Sequence, residues 1–85
     1  MRTLVIIIVL LFSFMLGVSS YSGDFNKGLD AYNKGDFVTA FNEWKPLAED
    51  GDANLQFAIG WLYANGKGID RDYKEAVYWY QLAAK

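Results

Sequence analysis

Residues 63–80 read YANGKGIDRDYKEAVYWY: two glycines in a polar loop, an aspartate, then an aromatic-rich run. A phosphate-binding loop would read G-x-x-x-x-G-K-[ST] after a strand, or G-x-G-x-x-G opening a helix. Here the third residue past Gly68 is Arg71, and the next segment opens on acidic Asp72. A carboxylate at a helix N-terminus takes the place an anion would occupy. The stretch is therefore predicted to be a bend between two helices. Gly66 ends the first, because glycine enters the left-handed C-terminal conformation without steric cost, and Asp72 caps the second.

Outward from that bend the pattern is helical on both sides. Glu75 follows Asp72 at the spacing of a capping box. Tyr73, Ala76, Val77, Tyr80, Ala83 and Ala84 then fall at offsets 0, 3, 4, 7, 10 and 11, which trace one stripe on a 3.6-residue helix. Upstream, Asp52 precedes a segment carrying Leu55, Ile59, Leu62 and Tyr63. The same six offsets recur earlier in Phe37, Ala40, Phe41, Trp44, Leu47 and Ala48, after Asp36 and before Gly51, with Pro46 in the last turn. That proline removes a backbone donor. A first helix is predicted near residues 25–33, behind Asp24 and stopped by Gly35, with Phe25, Leu29 and Tyr32 as its apolar stripe.

A shift of 36 residues superimposes Asp36 on Asp72, Phe37 on Tyr73, Ala40 on Ala76, Phe41 on Val77, Trp44 on Tyr80 and Ala48 on Ala84. A helical pair repeating at that period marks a solenoid. The predicted fold is all-α, a helical-hairpin repeat of four helices, with a first, degenerate repeat over residues 21–51 and a second over 52–85.

Residues 1–20 have a different character. Met1-Arg2 give a positive start, Leu4 to Leu16 form an apolar run broken only by Ser13, and Gly17-Val18-Ser19-Ser20 are small. That order is the mark of a signal peptide, with cleavage expected after Ser20 or, second, after Ser22. The apolar run is shorter than the roughly 20 residues that span a bilayer. The competing expectation is a retained membrane anchor over residues 4–18. The expected location is secreted or periplasmic, or membrane-anchored if that segment stays.

Composition narrows the chemistry. Once Arg2 leaves with the leader, seven basic residues face ten acidic ones, so no basic stripe is present to neutralise nucleic-acid phosphates. The chain has no cysteine and no histidine, which removes disulfides, most zinc sites and the common catalytic dyads and triads. Asp50, Asp52 and Asn54 imitate the start of a calcium loop, but its sixth and twelfth positions would be Leu55 and Trp61. Asp70 with Asp72, and Glu43 with Glu49, read as solvated surface acids. No catalytic residue, cofactor or metal site is expected.

The stretch Ala53 to Lys85 resembles a Sel1-like repeat, a relative of the tetratricopeptide repeat. The motif positions are Ala53, Phe57, Ile59-Gly60, Tyr63, Gly66, Gly68-Ile69, Asp72, Ala76, Trp79 and Ala83-Ala84. The segment GLDAYNKGDFVTAFNEWKPLAEDGD resembles the shorter repeat that often opens such proteins. The resemblance implies a non-catalytic scaffold binding a protein or peptide on the surface built by the first helix of each pair. It also implies further repeats, or self-association, to cover the last helix. Some secreted relatives have been linked to β-lactam binding or hydrolysis; they carry a cysteine pair in each repeat, which this chain lacks. A membrane-tethered regulator is the remaining alternative.

Within the motif, mid-helix Gly60 costs about 1 kcal/mol relative to alanine, so another helix is expected against its bare backbone. Ala76, Ala83 and Ala84 are expected to be the small partners of that approach. Tyr63, Tyr73, Trp79 and Tyr80 are expected to fill the angle between helices with their polar ends at the edge. Trp61 and Tyr78 lie off the apolar stripes, which makes them the candidate partner-binding residues. For Trp61, packing on the first hairpin is the equal alternative.

Overall fold

A computed structural model describes residues 23–85; the expected signal peptide and the alternative anchor lie outside the described residues. Four helices follow in order: α1 (Phe25–Asn33), α2 (Phe37–Glu49), α3 (Ala53–Asn65) and α4 (Tyr73–Ala83). The fold is all-α, with no strand among the described residues. Each helix packs on the next in the chain, the sequential contact pattern of a helical-hairpin repeat. None of these helices is long and apolar enough to cross a membrane.

Every helix begins on an aspartate. The side chains of Asp24, Asp36 and Asp52 accept from the backbone N–H three residues on, at Lys27, Thr39 and Leu55. The Asp72 carboxylate accepts from both Lys74 and Glu75. These bonds satisfy donors that have no partner inside the helix. The capping box predicted at Asp72 is only half formed, because the Asp72 N–H donates to the Tyr63 carbonyl at 3.0 Å rather than to Glu75. α4 is thereby pinned to the end of α3. Gly66, at φ 61° and ψ 43°, ends α3 in the left-handed region, as its position in the sequence predicts.

The core is one cluster containing Ala31, Ala40, Phe41, Trp44, Ala48, Leu55, Ile59, Leu62, Tyr63, Ala76 and Trp79. Ile59 and Leu62 are completely buried. Gln56 is buried among them and donates from Nε2 to the Ala48 carbonyl at 3.0 Å. That carbonyl, in the last turn of α2, also accepts from the Gly51 N–H at 3.1 Å, so α3 adds a second donor at the end of the helix before it.

α1 departs from its expected stripe. Phe25 and Leu29 are exposed at 47% and 39%, whereas Gly28 and Ala31 are buried. The helix approaches through its smallest residues: a Cβ at Gly28 would stand 2.4 Å from Trp44 Nε1. The second hairpin is built the same way. A Cβ at Gly60 would meet Tyr80 Cδ1 at 2.7 Å and the Ala76 carbonyl at 3.2 Å. Phe25 stacks on Trp44 and Phe57 on Tyr80, with centroids 6.3 and 5.2 Å apart. One Phe-Gly pair clasping one aromatic therefore occurs twice. The second helices are related by 36 residues and the first by 32, because the α3–α4 loop is four residues longer than the α1–α2 loop.

Two further expectations are corrected. Of the three motif alanines, only Ala76 sits against Gly60; Ala83 is half-buried, Ala84 is exposed, and both flank a shallow groove with Phe57 and Tyr80. Trp79 is buried, but its Nε1–H reaches neither the edge nor an acceptor. Tyr73 lies outside the interhelical angle, 62% exposed, with the Arg71 guanidinium 5.3 Å from its ring centre.

Candidate functional site: an aromatic groove between the hairpins

The 66–72 loop is tied down at both ends. Lys67 N–H donates to the Leu62 carbonyl, and Ile69 packs against the core. A Cβ at Gly68 would stand 2.4 Å from the Phe37 carbonyl carbon, so the loop rests on the first turn of α2. The first N–H groups of α4 are held by Asp72. The loop is a bend in which the N–H groups of Gly66, Lys67 and Asp72 bond back to the Tyr63 and Leu62 carbonyls.

The concave feature with a consistent chemistry lies where α1 and α3 diverge above α2. Tyr32 comes from α1, Trp44 from α2, and Phe57, Ala58 and Trp61 from α3; together they line a groove of about 270 Å³. Tyr32 is its hub, with ring centroids 5.6 Å from Trp44 and 6.0 Å from Trp61. Phe37 closes the back edge, 5.4 Å from Tyr32 in a T-shaped contact and 6.4 Å from Trp61. Edge-to-face and tilted pairs at these separations hold ring orientation beyond what burial alone supplies. The Trp44 indole is further fixed by donating from Nε1 to the Phe25 carbonyl at 3.2 Å.

The lining contains no charged residue. Such a surface suits an apolar or aromatic side chain, with aromatic walls that lose little entropy on contact. The two clearest pKa displacements lie elsewhere and are structural. Thr39, through its side chain and its backbone N–H, holds the Asp36 carboxyl below its ordinary value. Burial first, then the charges of Glu75 and Asp72, raise the Tyr63 phenol.

Of the two sequence candidates, Trp61 lies in this groove and packs on the first hairpin through Tyr32 and Phe37. Tyr78 does not join it. Tyr78 is exposed, edge-on to Trp79, and borders a separate shallow depression with Gln81, Leu82 and Lys85. Tyr32, Trp44, Phe57 and Ala58 were not singled out as contact residues by sequence reasoning. The signal that points to Phe57 is its 32-residue correspondence to Phe25, which appears only once the hairpin loops are given different lengths.

The described residues thus form a two-hairpin, all-helical repeat with an aromatic groove between the hairpins. Residues 53–85 match the Sel1 repeat family. Forty-six residues are 44% identical to protein sel-1 homolog 2 of Mus musculus, and equally so to that of Rattus norvegicus. The alignment takes in 53% of this chain but only 7% of either relative. No solved structure gives a significant match.

Proposed function

We propose that this chain is an exported, non-catalytic adaptor that captures a protein or peptide by seating an apolar or aromatic side chain in the groove at Tyr32, Phe57 and Trp61. One observation carries the reading. Phe57 stays 58% exposed on the rim of a groove whose other aromatics are held in place by mutual contacts. Large exposed aromatics beside preformed pockets are where binding energy concentrates. The Sel1 repeat supports protein binding as the class of function. Export rests on the charged, apolar, small-residue order of residues 1–20, and a secreted or periplasmic location follows from it. The uncovered face of α4 makes further repeats or self-association a second mode of contact.

The test is photo-crosslinking from Ala58, replaced by a benzophenone amino acid, with a control probe at exposed Asn42. Discrete adducts from position 58, lost when Phe57 is changed to Asp, are expected. Equal labelling from both positions, together with turnover of a small molecule by the purified chain, would replace the adaptor by an enzyme.

A further inference from the structure

The groove, read above as the contact surface on which this inference rests, also selects by its chemistry the segment it holds. Its lining has no charged residue, so an anionic motif, which needs clustered arginines, finds no partner there. Strand addition needs a sheet edge, and no strand occurs among the described residues. An amphipathic helix lays several anchors along a long trough, whereas about 270 Å³ is room for little more than one side chain. Aromatic-lined grooves suit proline-rich segments in the polyproline II helix, whose shape is set before binding.

The ring arrangement fits that helix. On α1, Phe25, Gly28 and Tyr32 share one face, and Trp44 fills the space that Gly28 leaves. Trp44 lies at 22° to Phe25 and 32° to Tyr32, so the three rings form a shingled row. Phe25, 47% exposed, continues that row beyond the groove. From Phe25 to Tyr32 the helix rises about 10.5 Å, close to the roughly 9.3 Å turn of polyproline II. Proline C–H groups carry slight positive charge, which suits the negative faces of such rings. Polyproline II also leaves its carbonyls without internal bonds and so calls for donors. Tyr32 Oη and Trp61 Nε1 bond no other described residue and are not buried, so both are open to an incoming acceptor. Across residues 23–85 ten acids outnumber seven bases, which favours lysine or arginine in the flanks of the ligand.

We propose that the groove binds a proline-rich segment in the polyproline II conformation, with basic residues flanking it. One proline sits against Phe57, Tyr32 and Trp61, and the proline three positions away sits against Phe25. Tyr32 Oη and Trp61 Nε1 donate to the carbonyls between them.

The probe is a blocked octaproline followed by two arginines, titrated into the chain as recovered from cells while NMR follows the Trp61 indole N–H. An alternating Phe-Ser octapeptide with the same two arginines offers apolar rings without the preformed helix. Octaproline is expected to bind about tenfold tighter, the gain from entering already ordered. Phe57→Ala should weaken it about tenfold and Phe25→Ala less, while Tyr78→Ala, away from the groove, should change nothing. Exchanging the arginines for aspartates should weaken binding about threefold, a difference that added salt removes. If Phe57→Ala loses its helical circular dichroism, the peptide comparison on the unaltered chain still decides. Equal or tighter binding of the Phe-Ser peptide overturns the proline assignment and leaves the groove as a contact surface. A Trp61 signal that moves with neither peptide overturns both.

Discussion

α2 and α4 carry the same six-residue apolar pattern 36 positions apart, yet α2 is a core helix and α4 is buried on one side only. Phe41 and Trp44 are 9% and 4% exposed, while Val77, the counterpart of Phe41, is more than half exposed. The difference lies in position along the stack, not in the pattern. Among the described residues, α2 is covered by α1 on one side and α3 on the other, whereas α4 packs on α3 alone. In a quasi-one-dimensional fold each repeat gains from its neighbours, so identical patterns are worth different amounts at different places.

That comparison can be pressed by mutation, most strongly at the clasped aromatics. Trp44→Ala is expected to cost about 3–5 kcal/mol, in the range for removing a buried large aromatic. The partly exposed Tyr80→Ala should cost visibly less, and equal losses in urea unfolding would mean α4 is as well covered as α2. Gly28→Ala comes next. Its methyl meets the Trp44 indole, which is itself anchored to the Phe25 carbonyl, and overpacking of this kind costs about 1–3 kcal/mol. Gly60→Ala should sit lower in the same range because the Tyr80 ring has an open side to move toward.

A smaller effect is expected at Gln56→Leu. It removes the Nε2–H bond to the Ala48 carbonyl, which keeps its bond from the Gly51 N–H at 3.1 Å, so the loss is that of one hydrogen bond, about 0.5–1.5 kcal/mol. The loss should appear at the α2–α3 boundary in amide hydrogen exchange. The smallest is a pH effect at Asp36. Its carboxyl is held below the ordinary value, so its contribution is present above the unfolded-state pKa near 3.8 and disappears as pH falls through the lower, folded value. Asp36→Asn should flatten the melting temperature slightly over that acidic interval. An unchanged acid profile would deny the cap any role.

Much of this was legible from residues alone. Aspartate caps, glycine stops and the 3.6-residue stripes of α2 and α3 follow from local rules that tertiary packing here reinforces. The bend at residues 66–72 followed from the absence of a phosphate-loop pattern. α1 was misjudged because the apolar stripe Phe25, Leu29, Tyr32 looked like a buried face. The helix instead comes close through Gly28, and a glycine has no hydrophobicity for periodicity to detect. The half-formed capping box was hidden for a related reason: the competing acceptor, the Tyr63 carbonyl, is nine residues away and close only in the fold. The groove was missed because its walls come from three helices, and nothing in linear spacing places Tyr32 beside Trp61.

The repeated clasp of a bare glycine on an aromatic ring underlies both hairpins, and a double-mutant cycle between Gly60→Ala and Tyr80→Leu in urea unfolding tests it most directly. If the two residues touch as described, the smaller, flexible leucine relieves the added methyl, and the coupling energy reaches about 1 kcal/mol or more. Additivity to within about 0.5 kcal/mol would contradict the clasp and, with it, the equivalence of the two hairpins.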